Sequence, residues 1–419
     1  MDVRVNTGLV DTTVRSGLAT DGNLIDQALK LCRARGIAAL TFRSLASEAA
    51  VPAATLQSRF GKKEQILDLT FRSAVDAELR ALEPLSVLAE TTEPSIEHVR
   101  ALFRQLVRPP ESEQAARLTM LLEMLVARIR NPAIGDCVVD WLRALHAFWA
   151  DACRFDPEHE DLGWFLVELQ VGLQLTTACC HRPLEIALAN DDLADRAIRG
   201  RSSVSPLWYR ALMQQAIAVE TGMPPEAPPK SDLFDRLLLA GAETVAARGA
   251  SALSFRNVAA QAGVSLSAVT HYFPKRQSLI YAVYRRIFEE IASDWPDARA
   301  GKTRRTAARI AEDYLDKVLH RKFGGACQPI AHAELYLLAA RDPSLSDLAW
   351  HMRMTRGVHW MRSRKPPFDD SMGPEAFSAH AEAIWMLGCS LVHMARETEA
   401  DLPATLKRRA LFGIRRFGI

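Results

Sequence analysis

The signatures of common catalytic machinery are missing from this chain. It has no nucleophile elbow, no phosphate-binding glycine loop, no HExxH sequence and no paired-carboxylate arrangement. An enzyme on this scaffold is therefore set aside, and no catalytic residue, metal centre or cofactor is expected. Long apolar runs are missing too. The longest, AIWMLGCSLV at 383–392, is about half of the roughly 20 residues that span a bilayer. The opening MDVRVNTGLVDTTVRSGLATDG carries acids and no apolar core of signal-peptide length. The expected location is cytoplasmic, with no membrane partner. Cysteine is sparse and odd in number: seven are scattered from Cys32 to Cys389, which reads as reduced core thiols and not as a disulfide framework. Period-two alternation is lacking, so no strand is predicted.

What the chain does have is a repeat. AVPAATLQSRFGKK at 50–63 returns as GVSLSAVTHYFPKR at 263–276, 213 positions later. Val51, Leu56 and Phe60 are matched by Val264, Val269 and Phe273. Upstream, Ala34, Arg35, Gly36, Ala39, Leu40, Phe42, Arg43, Ala46 and Ala49 recur unchanged in the second copy. An ungapped repeat so far beyond the roughly 20–50 residues of solenoid units implies two whole domains of one kind. Weaker echoes extend it: EMLVARIRNP at 123–132 resembles ELYLLAARDP at 334–343, and LQVGLQL at 169–175 resembles WMLGCSL at 385–391. The chain of 419 residues is also too long for one core. The expected division is a mobile arm at 1–20, a head at 21–66, a core at 67–221, a proline-rich join at 222–230, a second head at 231–279 and a second core at 280–419. The join, GMPPEAPPK, favours an extended spacer of roughly 28 Å.

Helical periodicity runs through nearly every segment, as in Leu24, Ile25, Ala28, Leu31 and Cys32, which share one face. The fold class is all-α. Beyond the repeated motif, helices are predicted over 64–82, 95–107, 112–130, 133–154, 160–180 and 206–220. In the second half they fall over 232–248, 276–293, 303–320, 328–341, 345–363, 374–398 and 403–415.

Net charge is only +2, but its distribution is uneven. Residues 24–63 carry a net +5 and residues 233–276 a net +3, so the rest of the chain is acidic. A polyanion would dock on the repeated segments. In each, a short helix lined by Phe42, Leu45, Ala46 and Ala49, or by Phe255, Val258, Ala259 and Ala262, is followed by a three-residue turn and a second short helix. Thr41 and Ser254 stand where N-caps belong. This is the pattern of a helix-turn-helix. With Leu56 and Val269 inward, Ala54, Thr55, Gln57 and Ser58 face outward in one copy, and Ser267, Ala268, Thr270 and His271 in the other. Short polar side chains of this kind suit base edges in a groove. Lys62, Lys63, Lys275 and Arg276 are then expected to hold phosphate, and Thr41, Arg43, Ser254, Arg256 and Ser265 complete the expected DNA-binding set.

Both segments resemble the amino-terminal DNA-binding domain of the tetracycline-repressor (TetR) family of bacterial regulators. The second, SFRNVAAQAGVSLSAVTHYFPKRQSL, is a close match and the first, TFRSLASEAAVPAATLQSRFGKKEQI, a fair one. The resemblance covers about 50 residues of each half. It implies three-helix heads, cores of about six helices that bind an effector and dimerise, and a ligand-responsive regulator, a repressor by family habit. Two departures stand out. Gln57 and Thr270 occupy the place of the family's phosphate-contacting tyrosine, and Ala50 replaces the turn glycine at a cost of about 1 kcal/mol if left-handed. The first head is thus the more diverged. A tandem chain supplies two heads to half-sites about 34–36 Å apart, so an intramolecular pseudo-dimer on an asymmetric double-stranded operator is expected. Its interface would be the last two helices of each half, with Gly172 and Gly388 matched. An alternative keeps only the second head for DNA and the first half for pairing or sensing. Further homodimerisation into a four-headed assembly stays open.

A small apolar or amphipathic effector is expected among the second half's methionines and polar groups. His332, Glu334, His351, Trp385, Met386 and His393 are its candidate contacts, with His359, Trp360, Met361 and Met372 nearby. His146, Trp149, Glu168 and Gln174 mark a possible second pocket in the first half. Core histidine outweighs metal ligation for His351 and His359, and Cys179, Cys180 and His181 weigh only lightly as a thiol sensor.

Overall fold

The computed structural model describes residues 21–107, 113–180, 182–200, 207–222, 231–293, 306–319, 328–357 and 374–417. The arm at 1–20 and residues 223–230 of the proline-rich join lie outside the described residues. Among the described residues there are helices and no strands. The first half comprises α1 (Asp21–Arg35), α2 (Phe42–Ala49), α3 (Ala53–Phe60), α4 (Lys63–Thr91), α5 (Ile96–Leu106), α6 (Glu113–Arg130), α7 (Asp136–Ala152), α8 (His159–Ala178), α9 (Pro183–Arg199) and α10 (Leu207–Gly222). The second comprises α11 (Asp232–Arg248), α12 (Phe255–Ala262), α13 (Leu266–Tyr272), α14 (Arg276–Ser293), α15 (Ala307–Leu319), α16 (Gln328–Arg341), α17 (Ser346–Met354), α18 (Pro374–Arg396) and α19 (Leu402–Phe417).

Three sequence expectations need correcting. α4 does not end near 82 but continues through Pro84 to Thr91. The proline withdraws one N–H, and the carbonyl it would have served belongs to Arg80, an exposed residue that water can reach. α9 has no counterpart among the predicted helices, because Asn190, Asp191 and Asp192 interrupt its apolar pattern. These polar residues are absorbed: Arg104 pairs with Asp191, Trp208 Nε1 donates to Asp192, and Asn190 bonds Thr177. Pro183 opens the helix and Gly200, at φ 83°, closes it. α17 stops at Met354, short of 363.

The two halves meet along α8 and α18. α8 is buried almost all round, as expected of a helix packed on several sides. At its crossing with α18 the matched glycines come together. A Cβ on Gly388 would fall on the Glu168 carbonyl oxygen and lie 2.7 Å from Gly172 N, and one on Gly172 would strike the Ile384 carbonyl. No residue larger than glycine fits there. Phe165 of α8 packs against Trp385, Phe412 and Phe417 of the second half, with centroids 5.5, 6.0 and 5.6 Å away. At the centre Glu168 is fully buried. It accepts hydrogen bonds from Trp385 Nε1, His393 Nε2 and Arg409 Nε, each at 2.7 Å. Burial alone would raise its pKa, but Arg409 and His393 outweigh that and hold it down at about 2.

Candidate nucleic-acid interface and core cavity

Each head is a compact triple of helices whose apolar side chains point inward. Leu45, Leu56 and Phe60 are buried in the first; Val258, Val269 and Phe273 are buried in the second. Thr41 caps α2 reciprocally: its hydroxyl accepts from Ser44 N at 3.0 Å, and Ser44 Oγ accepts from Thr41 N at 2.9 Å. Ser254 caps α12 by accepting from Asn257 N at 3.3 Å. The turns share one backbone form. Gly263 sits at φ 66°, ψ 38°, and Ala50 adopts φ 52°, ψ 41° despite its methyl group. The next helix differs, since Ser265 accepts from Ala268 N at 3.3 Å whereas Pro52 offers α3 no side-chain cap.

On α3, Ala54, Gln57 and Ser58 are exposed and Thr55 is half-buried. On α13, Ser267, Thr270 and His271 are exposed and Ala268 is half-buried. The Thr270 hydroxyl donates back to the carbonyls of Leu266 and Ser267 at 3.3 and 3.2 Å. Arg43, Arg256, Lys62 and Lys275 project into solvent, and Lys63 is half-buried. Arg276 is partly committed elsewhere: its Nε donates to the Leu253 carbonyl at 3.4 Å, and its guanidinium lies 3.9 Å from Asp342.

The heads are tied to the cores by a reciprocal pair of contacts that sequence reasoning missed. Glu123 of α6 accepts from Ile37 N of its own head at 2.8 Å, and Glu334 of α16 accepts from Ala250 N of its own head at 2.8 Å. Each carboxylate then pairs with an arginine of the other half. Arg341 Nε donates to Glu123 at 2.9 Å, and Arg130 pairs with Glu334. Arg341 also reaches the carbonyls of Cys32 and Arg33 at the end of α1. Gly36 and Gly249, at φ 82° and 87° with ψ near 160°, make the turns that present these N–H groups. A Cβ there would come within 3.2 Å of Glu123 and 3.1 Å of Glu334. The signal was present in the paired segments 123–132 and 334–343, each of which holds a glutamate seven residues before an arginine.

The second core contains a cavity of about 110 Å³ between α14, α15, α16, α17 and α18. His332 and Met386 line it, together with Tyr284, Tyr314, Tyr336, Lys317, Gln328 and Arg356, which were not anticipated. The other four ligand candidates are placed elsewhere. Glu334 faces the head. His351 Nδ1 donates to the Ala216 carbonyl of α10 at 3.0 Å, and Trp385 and His393 face Glu168 at the junction of the halves. His359, Trp360, Met361 and Met372 lie outside the described residues. In the first core, Trp149 Nε1 donates to Gln170 at 2.9 Å and Gln174 to the Leu106 carbonyl at 2.8 Å, while His146 stacks on Trp164 at 4.1 Å. With Glu168 at the junction, these four do not converge on one pocket.

Glu168, Cys389 and His393 offer atoms within 4.8 Å of one another. The Arg409 guanidinium pairs with the Glu168 carboxylate there, which makes the group part of a buried ion-pair network. Cys179 and Cys180 are buried with their Sγ atoms 3.7 Å apart; His181 and Cys327 lie outside the described residues. Among the described residues no helix is long and apolar enough to cross a membrane.

The model of the family described as "Bacterial regulatory proteins, tetR family" matches the chain twice, at residues 24–69 and 237–283, across α1 to α4 and α11 to α14. No curated protein matches the chain.

Proposed function

From the premise that the chain is a tandem transcriptional regulator of the tetR family, we propose that both of its heads bind double-stranded DNA at once and that a ligand in the second core releases them, which makes it a repressor. The heads are taken as 21–66 and 231–279, their cores as 67–221 and 280–419, joined at 222–230. One observation carries this reading: each head presents a short helix of exposed, unlike polar side chains, Gln57 and Ser58 against Thr270 and His271. The α8–α18 crossing, with α9 and α19 beside it, acts as the interface of an intramolecular pseudo-dimer. One polypeptide then covers an operator whose halves differ in sequence.

α16 supplies the link between ligand and DNA. His332 and Tyr336 on this helix line the cavity, Glu334 grips the second head, and Arg341 grips the first. A ligand that displaces α16 biases both heads together, which satisfies the requirement that an effector bind the two states unequally.

Selection of bound fragments followed by footprinting tests the reading, with an asymmetric operator expected; a perfect palindrome contradicts it. Affinity should fall steeply with salt, and alanine at Lys62, Lys63 and Lys275 should flatten the slope by about one for each phosphate no longer held. Alanine at Thr55, Gln57 and Ser58, and separately at Ser267, Thr270 and His271, should each relax specificity in one half-site, at about 1–3 kcal/mol for each base no longer read. Indifference to the first set alone would assign DNA binding to the second head and leave pairing or sensing to the first half. The mass of the complex distinguishes one chain per operator from a four-headed assembly.

A further inference from the structure

We propose that the cavity in the second core takes a small monocarboxylate, its charged end against Arg356 and its apolar body among Met352, Met386 and Leu387. This rests on the ligand-responsive reading above and names the chemistry of its ligand.

Among the described residues the lining has cations and donors but no acid. Lys317 and Arg356 both border the cavity, and among the described residues neither aspartate nor glutamate does. Arg356 makes no ion pair among the described residues; its Nε donates to the Ala383 carbonyl at 2.9 Å, which fixes the plane of the guanidinium. Gln328 is buried, and its Nε2 finds no acceptor among the described residues. A half-buried guanidinium beside an unanswered amide donor is costly until an acceptor-rich anion arrives, and a carboxylate matches the guanidinium fork with two parallel hydrogen bonds. His332 does not compete for the anion as a cation, because burial and then Arg356 push its pKa well below the ordinary value.

The first half shows that this polarity is particular to the second. The positions 211 residues before Tyr314, Lys317, His332, Tyr336 and Arg356 hold Phe103, Leu106, Leu121, Leu125 and Leu145, all buried. Where one core has apolar side chains at these five positions, the other has a guanidinium, an ammonium, an imidazole and two phenols, all bordering the cavity. A cavity of about 110 Å³ is somewhat smaller than the roughly 150 Å³ cavity that accepts benzene. The ligand is therefore a short chain or a single ring.

Calorimetry on the full chain with monocarboxylates from butyrate to benzoate, each against its own primary amide, tests this. Each acid should bind about tenfold or more tightly than its amide, as a charged hydrogen bond requires. Arg356→Gln should abolish that preference by weakening the acid far more than the amide, Arg356→Lys should keep part of it, and His332→Leu, the first half's residue, should lose acid and amide alike. The acids should also release DNA from the wild type and not from Arg356→Gln. Equal affinity for acid and amide overturns the carboxylate and leaves a ligand cavity in place. Equal binding of inorganic phosphate overturns the apolar body. If no acid or amide binds at millimolar concentration, the monocarboxylate falls, while the ligand-responsive reading falls only if a wider set of neutral and cationic compounds also leaves the DNA complex intact.

Discussion

Arg341, on the last turn of α16 in the second half, donates to Glu123 of the first half at 2.9 Å, and the same carboxylate holds Ile37 N of the first head at 2.8 Å. One arginine therefore joins the far core to the near head. Its counterpart, Arg130 with Glu334, does the same in the opposite direction. Arg341→Ala should cost about 2–4 kcal/mol in chemical denaturation, because it strands a buried carboxylate. A cycle with Glu123→Gln should return a coupling of about 1 kcal/mol or more. Additive effects would mean that the pair does not act as a unit.

Much of this arrangement was present in the sequence yet could not be read there. The two glutamate-to-arginine spacings repeat, but spacing along one helix does not say which half supplies the partner. Glu334 therefore reads as a ligand group in the sequence, when its carboxylate is occupied by a backbone N–H and an arginine. The heads were legible because a helix-turn-helix is local: Leu56, Phe60, Val269 and Phe273 fix which side chains face out. α9 was hidden because its polar residues find partners far along the chain, such as Arg104, 87 residues before Asp191. The cavity was half legible. His332 and Met386 were found, while Arg356 was missed because a cation among apolar residues reads as surface until the helices are packed.

The glycine crossing yields a second prediction. Gly388→Ala places a methyl group on the Glu168 carbonyl oxygen, a backbone atom that cannot move without shifting α8. A loss of about 2–3 kcal/mol is expected from such overpacking. Gly22→Ala, where nothing lies within 4 Å of the new methyl, is the control and should change little. A thermal scan showing similar losses for both would mean that the crossing is looser than described.

Glu168 gives the fold an acid limit. Its folded pKa of about 2 lies below the ordinary 4.5, so its contribution is complete above about pH 4.5 and drains away as the pH falls from there towards 2. In denaturant titrations the gap between wild type and Glu168→Gln should be widest near neutrality and narrow through that window. A gap that stays constant with pH would show that the carboxylate's charge is not what the site uses.

Ala50 carries strain that its twin does not. At φ 52° its Cβ crowds the backbone, whereas Gly263 in the matching turn has none. Ala50→Gly should stabilise the chain by about 0.5–1 kcal/mol, the relief of strain being partly offset by the greater freedom of glycine in the unfolded chain. Differential scanning calorimetry reads this directly. A lower midpoint would indicate that the methyl group's packing outweighs the strain.

Leu145 and Arg356 occupy matched positions, the one a buried leucine and the other a cation on the border of the second core's cavity. In an assembly of two identical copies, every substitution is inherited on both sides of the axis, and a change that improves one face must be tolerated by the other. Here a mutation strikes one side alone. Selection can then alter the exposed helix of one head, or the cavity of the second core, while the matching element of the other half stays as it was.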